Sequence, residues 1–146
     1  MGARSRRKGA KGERDISERL RTFGFLDARR NLSQSRTGKQ EGGDIFGEDL
    51  RDYHIEVKTG KSFTYEGALR QAVNDNSTHD RLPVAVCRRD NGEAVAVLRA
   101  DDLFLLLALA APALALCSGF GNARTVKVLS LETVKAARVE RGLEKP

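Results

Sequence analysis

An α/β domain follows from two observations on this sequence. Apolar residues recur at helical spacing in some segments and alternate at strand spacing in others, and the two patterns interleave along the chain as α-β-β-β-α-β-β-α. No internal repeat and no linker composition interrupts that order. The chain of 146 residues is long enough to bury a core without disulfide or metal staples. Its 40% hydrophobic and 32% charged residues exclude disorder throughout.

Residues 1–11 are basic, rich in Gly and Ala and free of apolar periodicity, so a flexible basic arm is expected there, followed by one domain over residues 12–146. Ile16, Leu20 and Phe23 stand at i, i+4 and i+7 of a first helix over Gly12–Phe23, which Gly24 stops. Phe25–Leu32 reads as a strand and Ser33–Gly43 as a polar, Gly-bounded loop. Asp44-Ile45-Phe46 opens a short strand, Gly47–Asp52 turns, and Tyr53–Lys58 is the next strand. There Tyr53, Ile55 and Val57 face one side and His54, Glu56 and Lys58 the other. Tyr65–Asn74 is an amphipathic helix. Pro83–Cys87 and Ala94–Leu98 are strands joined around Asp90-Asn91-Gly92, a hairpin signal. Asp101 or Asp102 is expected to cap an apolar helix over Leu103–Cys117; Thr125–Leu129 reads as a strand and Leu131–Arg141 as a terminal helix.

The positive charge is concentrated. Residues 1–40 carry 12 basic and 4 acidic side chains, and residues 41–146 carry 14 and 16. A basic segment on a near-neutral body suits a polyanionic partner such as nucleic acid, or else is a solvated tail. Without an apolar leader at the N-terminus, and with only Cys87 and Cys117, a reducing cytoplasmic location is expected rather than a disulfide framework. Cys87, Cys117, His54 and His79 lack the paired spacing of a structural zinc site. The 15 apolar residues of Leu103–Cys117 are short for a bilayer and interrupted by Pro112, so no membrane partner is expected. The Gly60-Lys61-Ser62 string lacks the first Gly of a phosphate-binding loop, since position 55 is Ile55, so no nucleotide cofactor is expected either.

Three carboxylates and a lysine carry the chemistry. Glu13 projects onto or beside the apolar stripe of the first helix, Asp44 follows two glycines at a strand mouth, and Glu56 and Lys58 share the polar face of a strand. Two adjacent strands joined by a short turn bring Asp44 near Glu56. Carboxylates that converge repel one another unless a cation lies between them. An all-oxygen set suits a hard divalent ion, Mg²⁺ or in its place Mn²⁺, which activates water against a phosphodiester. A lysine on the same face stabilises the charge that develops. The plainer readings are solvent-facing charges on a strand and, for Glu13, an acid complementing the helix dipole. Gln71 is read first as an exposed helix position, the alternative being a polar residue that faces the site from the helix after the Glu56 strand, and His54 as an ordinary strand residue.

The run G-G-D-I, then I-E-V-K, with K-G-E-R upstream on a helix, resembles the PD-(D/E)XK nuclease superfamily, and within it the archaeal-type and phage Holliday junction resolvases. The resemblance covers roughly residues 8–75, with Gly43 where the family usually has proline. It implies a restriction-endonuclease-like mixed central sheet flanked by helices. It also implies metal ligation by Asp44, Glu56 and the Val57 carbonyl, assistance from Glu13, and a catalytic Lys58. Ser35, or alternatively Ser33, would lie in the substrate loop. Arg14 and the arm (Arg4, Arg6, Arg7, Lys8, Lys11), with Arg36 and Lys39, would contact DNA phosphates.

What the resemblance implies is a metal-dependent endonuclease that resolves four-way junctions as a homodimer, since paired cuts need two sites on a two-fold axis. The alternatives are a restriction-like, repair or nicking nuclease of the same superfamily, and a non-catalytic basic DNA-binding protein. The carboxylates argue against the last, because unpaired acids facing a phosphate backbone weaken binding.

Overall fold

The structure is a computed structural model that describes residues 3–32, 43–76 and 80–117. The chain divides into two compact units, Met1–Leu98 and Arg99–Pro146, where one domain over residues 12–146 is expected. The sheet of the first unit ends with its last strand at Val97, and the described part of the second unit is a single helix.

In the first unit, helix α1 (Ala3–Thr22) leads to strand β1 (Arg29–Arg30) and β2 (Ile45–Phe46). A 3-10 turn over Glu48–Leu50 precedes β3 (Tyr53–Gly60); helix α2 (Tyr65–Asp75), β4 (Leu82–Arg89) and β5 (Ala94–Val97) follow. The five strands form one sheet in the order β1-β2-β3-β4-β5. Only β3 and β4 are parallel, joined by the α2 crossover; the other neighbours are antiparallel. The fold is therefore α/β, with a mixed five-stranded sheet flanked by helices.

Each face of β3 has its own core. Ile55 and Val57 pack with Ile45, Ile16 of α1, Ala28 and Leu50. On the opposite face, Ala68 and Ala72 of α2 pack on Ala85 and Cys87 of β4, small side chains that let the helix lie close to the sheet. Glu56 is the register partner of Ala85 and Lys58 of Cys87, so both polar residues of β3 share the α2 face. The alternation expected for this strand is present, yet its polar face is covered by a helix instead of lying in solvent.

Several boundaries differ from expectation. The arm over residues 1–11 is not a flexible segment from Ala3 onward: α1 starts at Ala3. Ala, Arg and Lys are good helix formers, the two glycines cost only about 1 kcal/mol each, and a Lys11–Asp15 pair at i, i+4 adds support. Phe25–Ala28 is a turn rather than strand, because Gly24, at φ 103°, ends α1 and the Phe25 N–H folds back to the Leu20 carbonyl. Thr64 caps α2 by accepting from Gly67 N. Asn91, at φ 60°, makes the tight β4–β5 turn where Asp90-Asn91-Gly92 predicts one. The second unit's helix α3 (Ala100–Cys117) starts before both aspartates, so Asp101 and Asp102 lie in its first turn and neither is the cap. Among the described residues no helix is long and apolar enough to cross a membrane. The strand and helix expected after Ser118, and His79, lie outside the described residues.

Candidate active site

Two close approaches at glycines set the site. Gly12 of α1 lies against Thr59 of β3, where a Cβ would fall 2.8 Å from Thr59 Oγ1 and still nearer its methyl group. The glycine of K-G-E-R thus lets α1 cross β3 in contact, and Glu13 is the next residue. Gly43 lies on the backbone of Ile55, where a Cβ would come within 2.6 Å of the nitrogen and 2.8 Å of the carbonyl carbon. The second glycine of G-G-D is therefore a packing requirement of the β2–β3 approach. Asn31 ties the same turn, through its Nδ2 to Gly43 O at 3.1 Å and its N–H to Asp44 O at 2.8 Å.

Asp44 sits where β2 begins. Its N–H donates to Ile55 O at 2.7 Å, and its Oδ2 accepts from Val57 N at 2.8 Å. The carboxylate thus stands in for the backbone carbonyl that a longer β2 would offer to β3. Glu56 is 4% exposed, and its Oε1 accepts from Lys58 Nζ at 2.6 Å and from Gln71 Nε2 at 2.7 Å. Gln71 also donates to Asp75 Oδ2 at 3.2 Å, one turn further along α2. Glu13 is ion-paired with Arg30 of β1.

Burial pushes the Asp44 carboxyl up to about 7, helped by the negative charges of Glu56 and Glu13 and opposed by the Val57 N–H and by Lys58. Burial also raises Glu56, against the Lys58 hydrogen bond and charge and with repulsion from Asp75 and Glu13. Glu13 adds repulsion to both Asp44 and Glu56, although burial is the larger cause of each shift. Among the described residues neither Asp44 Oδ1 nor Glu56 Oε2 accepts a hydrogen bond. Two partly desolvated carboxylates, each with one oxygen unengaged, suit a hard divalent cation. Among the described residues no group of three or more His, Cys, Asp or Glu forms a ready-made cage, so backbone or water oxygen must complete any such site.

Of the two readings of Gln71 the structure has the site-facing one: its amide is bonded to Glu56. Besides its place on the helix after the Glu56 strand, its i, i+4 relation to Asp75 marks that face of α2. Arg30 and Asn31 carry no signal, because their roles depend on where β1 meets α1 and β2. Arg6, Arg7, Lys8, Lys11 and Arg14 are exposed along α1. Arg4 belongs to α1, with its side chain outside the described residues; Ser33, Ser35, Arg36 and Lys39 lie outside them altogether. No family model, curated protein or solved structure matches the chain.

Proposed function

We propose that this chain is a divalent-metal-dependent endodeoxyribonuclease of restriction-endonuclease-like fold that resolves four-way DNA junctions as a homodimer. The observation that carries the reading is the meeting of Asp44 and Glu56, both buried and both raised from their ordinary values by that burial, beside Lys58 on β3. A core position has no use for such a set, since two acids held together without a cation destabilise the fold.

Asp44, Glu56 and the Val57 carbonyl would hold Mg²⁺ or Mn²⁺, with Glu13 assisting. When bound, the ion supplies Lewis-acid activation of water and neutralises charge on the phosphate. The protein's own groups do the rest. Gln71 and Lys58 fix the Glu56 carboxylate by one oxygen, which orients the other. Lys58 is about one-third exposed and has N–H groups beyond the one given to Glu56; these face the charge that grows as water adds to phosphorus and the P–O bond breaks. Arg30 holds Glu13 at the margin. The exposed basic residues of α1 contact the DNA backbone, a contact that sets affinity and carries no base sequence. The compartment that fits is the cytoplasm, where Cys87 stays a thiol.

The test places a four-way junction beside a linear duplex of the same sequence, with Mg²⁺ and with EDTA, using wild type, Asp44→Asn and Glu56→Gln. Junction-selective, Mg²⁺-dependent cleavage by wild type alone is expected, with junction affinity kept in both variants. Sedimentation at micromolar concentration should give twice the 16.0 kDa monomer mass. A monomer that only nicks supercoiled DNA moves the reading to a nicking or repair nuclease; full cleavage by either variant removes the site.

A further inference from the structure

A cleft of about 570 Å³ opens between α1 and the β4–β5 hairpin, and its walls carry Lys8, Lys11, Lys61, Arg88 and Arg89 against one carboxylate, Asp90. We propose that this cleft seats the phosphodiester backbone of a DNA arm next to the cleavage site. The inference rests on the nuclease reading and adds the surface that carries the substrate.

The lining decides the ligand class. Pockets for small organic molecules are walled mainly by apolar and aromatic side chains. Here the walls are cationic and the floor is Gly12 and Thr59. Lys8 and Lys11 lie at i, i+3 on one face of α1, while Arg88 and Arg89 end β4 on the opposite wall. The intramolecular acids hold only part of this charge. Asp15 takes Lys11 and Arg88, at 3.2 and 2.8 Å, and Asp90 takes Lys8. Among the described residues Lys61 and Arg89 pair with no carboxylate. The Arg89 guanidinium lies over the rings of Phe63 and Tyr65, 5.4 and 5.6 Å from their centroids, which holds it at the rim.

Position links the cleft to the site. Gly12 precedes Glu13 on α1, and Thr59 follows Lys58 on β3 with its side chain on the α1 face. The lining of the cleft thus adjoins the candidate catalytic residues along the chain of both elements, with Lys58 on the opposite face of the sheet. These hairpin cations come from outside the basic N-terminal quarter of the sequence.

Binding of fluorescent junction and duplex DNA in EDTA, across a salt series, tests the assignment. Lys61→Glu should weaken both about 10-fold, and Arg89→Gln should lower the salt slope by about 0.9. Asp90→Asn leaves the Asn91-Gly92 turn in place and removes the one acid among the described lining residues, so it should bind about 3-fold tighter. A gain of affinity cannot come from misfolding. Arg70→Glu on exposed α2 is the equal-charge control and should change little. If Lys61→Glu and Asp90→Asn behave like Arg70→Glu while wild type binds and cuts, the cleft assignment falls and the nuclease stands. If the cleft variants shift binding as expected but wild type never cuts, the cleft stands and the nuclease falls.

Discussion

Gln71 of α2 donates its amide to Glu56 Oε1 at 2.7 Å, so the crossover helix between the two parallel strands holds the acid at their centre. The bond to Asp75 steadies the amide from behind. Polar partners that orient a metal-binding carboxylate are worth roughly 10–100-fold in metal affinity or activity. Gln71→Ala should therefore raise the Mg²⁺ concentration for half-maximal cleavage about 10-fold, with the rate at saturating Mg²⁺ changed less. An unchanged metal titration shows that Glu56 is held well enough by Lys58 alone.

Lys58→Ala should lower single-turnover cleavage by about 10²–10³-fold, the range for removing one preorganised donor. Junction affinity should change little, because transition-state charge is absent when DNA merely binds. Loss confined to affinity would make Lys58 a phosphate anchor.

Asp44 makes the metal-free protein less stable as pH rises. Its folded pKa of about 7 lies above its ordinary value, so the folded state keeps a proton that the unfolded chain releases. The cost is absent below about pH 4, grows between about 4 and 7, and is complete above 7. In EDTA at pH 8, Asp44→Asn should melt higher than wild type, with the gap closing at pH 4. Each ~1 kcal/mol relieved moves Tm by ~4–8 °C in a unit of this size. Millimolar Mg²⁺ at pH 8 should raise the wild-type Tm and leave the variant nearly unmoved. A wild type more stable than Asp44→Asn in EDTA at pH 8 contradicts this.

Gly43→Ala should damage fold and site together. Its Cβ would meet backbone rather than a flexible side chain, so about 1–3 kcal/mol or more is lost and the Asp44 N–H to Ile55 O bond is displaced. Gly24→Ala is the contrast: no atom lies within 4 Å, so only the positive φ costs, at about 1–2 kcal/mol, and cleavage should survive. Urea midpoints and cleavage rates on the two variants distinguish site geometry from general destabilisation.

The residues of the candidate site were legible where chemistry and local pattern agreed. Asp44 after two glycines, and Glu56 and Lys58 on one strand face, are all readable without coordinates. The burial of that face was not, because alternation marks two faces of a strand and cannot tell a covered polar face from a wet one. Alternation leaves Gln71 open between a wet and a site-facing position for the same reason. Gly12 reads as the first residue of a helix and Gly43 as the end of a loop, although Gly12 packs on the Thr59 side chain and Gly43 on the Ile55 backbone, contacts between elements distant in sequence. The helical start of α1 was hidden by its own glycines, whose propensity cost its length and Lys11–Asp15 offset.

The parallel pairing of β3 with β4 also has a kinetic meaning. All eight register pairs, from Tyr53↔Leu82 to Gly60↔Arg89, join residues twenty-nine apart, so the pair forms only once α2 has closed a long loop. Glu56, Lys58 and Gln71 lie within that single stretch, whereas Glu13 and Asp44 enter from outside it. The folding nucleus can thus assemble Glu56 with its two partners before Glu13 and Asp44 arrive. Asp44 docks late, so relieving its repulsion should slow unfolding and leave the refolding rate nearly unchanged.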